Sequence, residues 1–225
     1  MRADGPQYGR MNERTHRYRN LISAFNAAVI IVDYQEGAAS SSGAAKDVEL
    51  VAVTELLKAA SVFTVPAIVT TIETEELDGQ LCGLLVEATC DSEVIKRFSG
   101  NPWDGDAFRN KIHTIDRSRL VIAGQCSEVL VTFAVLSALE EGFDTYIVTD
   151  ATVGSTQQHH ETAIERMVQA SAAPVTTRQI IFAWQRDLRN GPGSPGSPAD
   201  QKNSAEKVLD STEPGRPPSL TAGYP

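Results

Sequence analysis

From Ala27 to Tyr34 the chain reads AAVIIVDY, an apolar run that meets polar residues only at its ends. A strand with one wet face alternates apolar and polar positions. A run that is apolar on both parities belongs to a strand covered on both faces, as in a parallel sheet. The following segment, KDVELVAVTELLKAAS, changes period, with Val48, Val51, Leu56 and Ala59 at helical spacing. VPAIVTT predicts the second strand, with Pro66 at its start, where a missing N–H is tolerated. Leu77 to Ala88 is predicted as a helix and EVIKRF as a short strand. GDAFRNKIHT predicts a helix, RLVIAG a strand, and Ser127 to Glu141 an almost wholly apolar helix stopped by Gly142. TYIVTDA, HHETAIERMVQAS, APVTT and Arg178 to Arg189 continue the alternation as strand, helix, strand and helix.

Strands alternating with helices of this length predict an α/β fold: doubly wound, a Rossmann-like three-layer α/β/α arrangement around a central, mostly parallel six-stranded sheet. In such sheets ligands sit beyond the carboxyl ends of the strands. That rule directs attention to Asp33, to Arg97 and to the turn after Gly124.

Composition narrows the picture. The chain has 225 residues, 41% hydrophobic and 22% charged, enough for one domain with a real core. Residues 1–18 form a polar arm and 19–190 the predicted folded unit. Residues 191–225 hold seven of the eleven prolines and few large apolar side chains, the signature of a Pro/Gly/Ser-rich disordered tail. A formal net charge of −9 disfavours nucleic acid and anionic membrane surfaces as partners. No stretch approaches the ~18 apolar residues that span a bilayer, and the basic arm from Arg10 to Arg19 lacks the apolar centre of a signal peptide. A cytoplasmic protein is expected. Cys82, Cys90 and Cys126 form no CxxC pair and read as reduced thiols, with no metal and no cofactor expected.

Three strand ends carry candidate chemistry. Asp33 closes an apolar strand, where partial burial raises a carboxyl pKa and suits it to proton transfer, although a solvated strand-end aspartate or a helix cap would look the same. Lys96 and Arg97 point to opposite faces of their strand, so only one can enter a site. Gln35, Asn101 and Trp103 could line a pocket, while a Trp equally fills core. In AGQCSEVL, Ser127 reads as the helix N-cap and Glu128 as an acidic first-turn residue. Position 130 then lies over free N–H groups at the positive end of the helix, where a thiol would be activated and an oxyanion held. His159 and His160, about 100° apart on a helix, suit surface positions better than joint ligation.

Taken together, AAVIIVDYQEG, VIKRFSGNPWD, VIAGQCSEVLVTFAVLSALEEGFDTYIVTDA and ETAIERMVQASAAPVTTRQIIFAWQRDLRN resemble the isochorismatase-like, or cysteine hydrolase, superfamily, in particular its YcaC-type hydrolase branch. The resemblance implies a triad of aspartate, a basic residue and a cysteine, the last in a G-x-x-[ST]-[DE]-x-C-V turn. Position by position, Asp33 takes the general-base place and Arg97 the basic place, with Lys96 the alternative register. Gly124, Ser127, Glu128 and Val131 fit the turn, and Leu130 stands where the cysteine belongs. The resemblance further implies a cis peptide between Cys126 and Ser127. Zinc-binding nicotinamidases of the superfamily carry histidines after the second strand, where this chain has TTIETEELDG and none.

A leucine closes the thioester route at position 130. Three readings stay open. The chain is a hydrolase of a small polar metabolite working through Asp33 and Arg97, as isochorismatases that lack the cysteine do. Alternatively, Cys126 supplies the thiol from the loop, although the register leaves it as a bystander. The third reading is a non-catalytic paralogue, a pseudoenzyme keeping the fold for binding or assembly. Ser127 is a candidate substrate contact. Members of the branch assemble into rings, so a homo-oligomer is expected, with the apolar surface from Phe133 to Leu139 a candidate contact.

Overall fold

The computed structural model describes residues 21–36, 44–75, 79–89 and 92–185. Both terminal extensions and Cys90 lie outside the described residues. Six strands form one sheet: β1 (Ala27–Val32), β2 (Ala67–Ile72), β3 (Glu93–Arg97), β4 (Arg119–Gln125), β5 (Asp144–Val153) and β6 (Ala173–Val175), in the order β3-β2-β1-β4-β5-β6. Every ladder between these strands is parallel. The three-layer doubly wound arrangement predicted from the hydrophobic pattern is the one observed.

β1 shows why its sequence has no polar gap. All six residues are buried. Ala27, Val29 and Ile31 enter one core with α1 (Ala44–Val62) and α6 (Thr177–Gln185), through Leu50, Val53, Leu57, Ile180 and Ile181. Ala28, Ile30 and Val32 enter the other, with α3 (Asp106–Ile115), α4 (Thr132–Glu140) and α5 (Gln157–Gln169), through Phe108, Ile112, Val135 and Met167. Alternation along a strand therefore serves two cores rather than a core and water.

Three details differ from the sequence expectation. On α1, Leu56 and Ala59 of the expected stripe are buried together with Leu50, Val53, Leu57 and Ala60, whereas Val48 and Val51 are exposed. Of the helix predicted at 77–88, residues 77 and 78 lie outside the described residues and α2 covers only Gly83–Ala88, because Gly79 takes a left-handed φ of 75° and Leu81 instead forms an antiparallel bridge with Gln35. The helix after β4 opens with a π-type turn, Ser127–Val131, before α4 begins. The end of the predicted last helix, beyond Gln185, lies outside the described residues.

β1 and β4 approach closely at their carboxyl ends. A Cβ on Gly124 would lie 2.5 Å from the Val32 carbonyl oxygen and 2.9 Å from Val131 Cγ2. Gly124→Ala is therefore expected to overpack this junction and destabilise the fold by about 1–3 kcal/mol, measured as a lower urea midpoint with an unchanged slope.

Candidate active site

Strand order reverses between β1 and β4, so the crevice at their carboxyl ends is where a doubly wound sheet places its ligand. Asp33 is the first residue beyond β1. Its φ of 56° breaks the strand alternation and turns its carboxylate toward the face that carries Thr70 and Arg97. Aspartate tolerates this left-handed region better than most residues.

Thr70 of β2 donates its hydroxyl to Asp33 Oδ1 at 3.0 Å. Arg97 of β3 reaches past the end of β2 and donates from Nη2 to Asp33 Oδ2, while Nη1 donates to the Ser99 carbonyl. Asp33 is 1% exposed and Arg97 6%, so this ion pair is buried. Burial raises the Asp33 pKa to about 6, against the lowering effects of Arg97 and Thr70. Burial likewise lowers the Arg97 pKa, opposed by Asp33, yet a guanidinium remains a cation in any accessible pH range. The result is a carboxyl that can carry or release a proton near neutrality, held in one orientation by two donors.

Lys96, the alternative basic residue, points the other way: its side chain is 58% exposed and pairs with Glu73 at 3.2 Å. Strand parity thus decides between the two. Gln35 is buried, with its amide bonded both ways to the Ile72 backbone and its N–H donating to Gln125 Oε1 at 3.3 Å. It staples β1 to β2 and β4 rather than offering a free amide. Trp103 belongs to the core and not to a pocket wall: its indole N–H donates to the Ala134 carbonyl and its ring packs on Phe108 and Phe143. Asn101 receives the Trp103 N–H and donates to Ser137, fastening the loop after β3 onto α4. Leu130 is half-buried and lies against that loop, 3.6 Å from the place a Gly100 Cβ would occupy.

The turn departs most from expectation. No cis peptide occurs among the described residues; the chain turns instead through a left-handed Cys126, φ 57° and ψ 61°. Cys126, not Ser127, is the helix N-cap, and its carbonyl accepts from Val129, Leu130 and Val131 at 3.1, 2.9 and 3.4 Å. Ser127 is fully buried, and its hydroxyl lies 3.3 Å from His160 Nδ1. Gly154 permits that contact, since a Cβ there would lie 2.8 Å from Ser127 Oγ. His159 is exposed as expected, whereas His160 is half-buried, and burial lowers its pKa. Glu128 accepts from the Ser155 N–H at 3.2 Å, tying the same turn to the loop after β5. No pattern in the sequence marks the Ser127–His160 contact, because its partners lie 33 residues apart. Among the described residues, no group of three or more His, Cys, Asp or Glu side chains converges as metal ligands would.

Residues 27–179 match the Isochorismatase domain. The chain belongs to the isochorismatase family. It is 34% identical over 173 residues to an Escherichia coli K12 protein described as "Probable hydrolase YcaC", covering 73% of this chain and 80% of that protein. The structure of YcaC from Pseudomonas aeruginosa with hexane-2,5-diol and covalent acrylamide superposes with a TM-score of 0.72 at 29% identity, covering 85% of this chain and 96% of the other. The Escherichia coli YcaC structure, described as an octameric hydrolase of unknown specificity, gives 0.72 at 30% identity with the same coverage.

Removing the Arg97 guanidinium leaves Asp33 buried without its cation, which raises its pKa further. A carboxyl whose folded pKa lies above its unfolded value of about 3.9 makes the native state the tighter proton binder, so stability falls as pH rises between the two values. Arg97→Ala is expected to cost about 3–5 kcal/mol at pH 8 and clearly less at pH 5, where Asp33 takes up its proton. Urea unfolding at both pH values measures the difference, and an equal loss at both contradicts a buried, ionised Asp33.

Proposed function

We propose that the protein is a hydrolase of a small polar metabolite in which Asp33 exchanges the proton that drives bond cleavage and Arg97 orients Asp33 and neutralises its charge. The observation that carries this reading is the buried Asp33–Arg97 pair, hydrogen-bonded to Thr70 at the sheet's switch point, with the Asp33 pKa raised to about 6. A structural ion pair gains nothing from such a location. A proton-transfer group gains a pKa close to its working pH and a fixed aim.

Leucine at position 130 removes a nucleophile from that place and puts an apolar wall over the crevice entrance. Polar recognition then falls to the loop from Phe98 to Asp104, which Asn101 fastens to α4. Cytoplasmic location and assembly into a homo-oligomer complete the reading. Most of the Phe133–Leu139 surface is spent on the core, where Ala134, Val135 and Ala138 are buried, but Phe133 remains 41% exposed and the Escherichia coli relative is octameric.

Hydrolysis of a panel of isochorismate and small amides and esters, followed by product release, tests the site. Asp33→Asn is expected to lower turnover by about 100-fold or more and to abolish an inflection of the rate near pH 6. Hydrolysis that is insensitive to Asp33→Asn, with no inflection there, contradicts it. Light scattering is expected to give a multiple of the chain mass, and a monomer contradicts assembly.

A further inference from the structure

Arg97 is almost fully buried although it ends β3, the strand at the edge of the sheet. No strand lies beyond β3, and the loop from Phe98 to Asp104 folds back over the guanidinium instead. Nη1 donates to the Ser99 carbonyl, and the charge of Asp104 acts favourably on the cation. Nε has no partner, so Asp33 and that one loop carbonyl are the acceptors Arg97 has among the described residues. Where the loop sits therefore decides how dry and how well held the Asp33–Arg97 pair is.

The far half of the loop is fastened to α4, Asn101 to Ser137 at 2.9 Å and the Trp103 indole to the Ala134 carbonyl at 3.0 Å. The near half is seated differently. Phe98, its large apolar residue, is 81% exposed and adds no packing, while the Ser99 hydroxyl bonds within the loop, to Asp104 and to the Asn101 N–H. Leu130 supplies the contact across the gap: its Cδ2 lies 3.6 Å from the point a Cβ on Gly100 would occupy, an ordinary van der Waals distance. Its backbone is fixed, because its N–H donates to the Cys126 carbonyl at 2.9 Å and Ser127 and Glu128 anchor the same turn. The touching atom is a δ carbon. A cysteine ends at its γ atom and falls short of the loop.

We propose that Leu130 is a positioning residue of this site: by reaching Gly100 it holds the Ser99 carbonyl on Arg97 and keeps the loop closed over the Asp33–Arg97 pair. It acts through Arg97 and makes no bond to a substrate. The inference rests on Asp33 as the proton-transfer group and adds the side chain that keeps that group out of water. Burial is the largest cause of the raised Asp33 pKa, and a lifted loop admits water to the pair. A better-solvated carboxylate is a weaker base, so a shorter side chain at position 130 makes Asp33 a stronger acid.

Infrared difference titration of the folded full chain, with each variant compared against the same variant carrying Asp33→Asn, reads the carboxyl directly. Leu130→Ala is expected to lower the midpoint from near 6 by about one pH unit, toward the ordinary aspartate value of about 3.9. Amide hydrogen exchange of residues 98–101 is expected to quicken about tenfold in the same variant. Leu130→Met, which keeps an atom at the δ position, is expected to retain the wild-type midpoint and exchange. Leu130→Cys is expected to behave as alanine does, and it decides the outcome if Leu130→Ala does not fold. A midpoint near 6 in the wild type and in the shortened variants alike overturns the inference and leaves the Asp33 reading standing. A lowered midpoint without faster exchange in the loop overturns it too, as does Leu130→Met with the alanine midpoint. A wild-type midpoint near 3.9 overturns both readings.

Discussion

A carboxylate and a guanidinium taken out of water together constrain everything else in this molecule. Asp33 and Arg97 are almost fully buried, and burial of either alone would cost several kcal/mol. They come from strands separated by a third, so the pair exists only if β1, β2 and β3 keep their register and Arg97 stands on the correct face of β3. Arg97 satisfies one Asp33 oxygen and Thr70 the other. Desolvation still exceeds these attractions, and the excess is what moves the Asp33 pKa toward neutrality.

The two cores keep that geometry fixed. β1 serves both with alternate side chains and has no residue to spare for water. Its carboxyl end is pressed against β4 at Gly124, so the crevice begins where packing is tightest. On the β4 side, the Ser127–His160 contact and the Glu128–Ser155 hydrogen bond anchor the π-type turn to the start of α5 and the loop before it. The site is thus held from both flanks by long-range contacts, while Cys126 and Leu130 at its centre stay partly accessible.

Much of this was legible in the sequence, and the reason is periodicity. An apolar run on both parities identified β1, and the strand–helix alternation identified the sheet and its switch point, hence Asp33, Arg97 and the turn after Gly124. Strand parity lets only one of Lys96 and Arg97 enter the crevice, and the family resemblance implies that Leu130 stands at the nucleophile's position. What stayed hidden depends on tertiary contacts. α1 has apolar residues on more than one face, so Val48 and Val51 share a helical spacing with Leu56 and Ala59 although only the latter two are buried. Trp103 and Gln35 looked available because nothing local shows that Ala134 and Ile72 occupy their polar groups. A left-handed cysteine has no sequence signal, so the turn was expected to use a cis bond and a Ser127 cap.

The ionisation of Asp33 is the most direct measure of whether the buried pair is a working proton-transfer device. Infrared difference spectroscopy of wild-type protein against Asp33→Asn, titrated through the acidic range, isolates that single carboxyl. A carbonyl band lost with a midpoint near 6 is the expected result. A midpoint near the ordinary aspartate value of about 3.9 would contradict it, since Asp33 would then be a fixed anion serving structure alone.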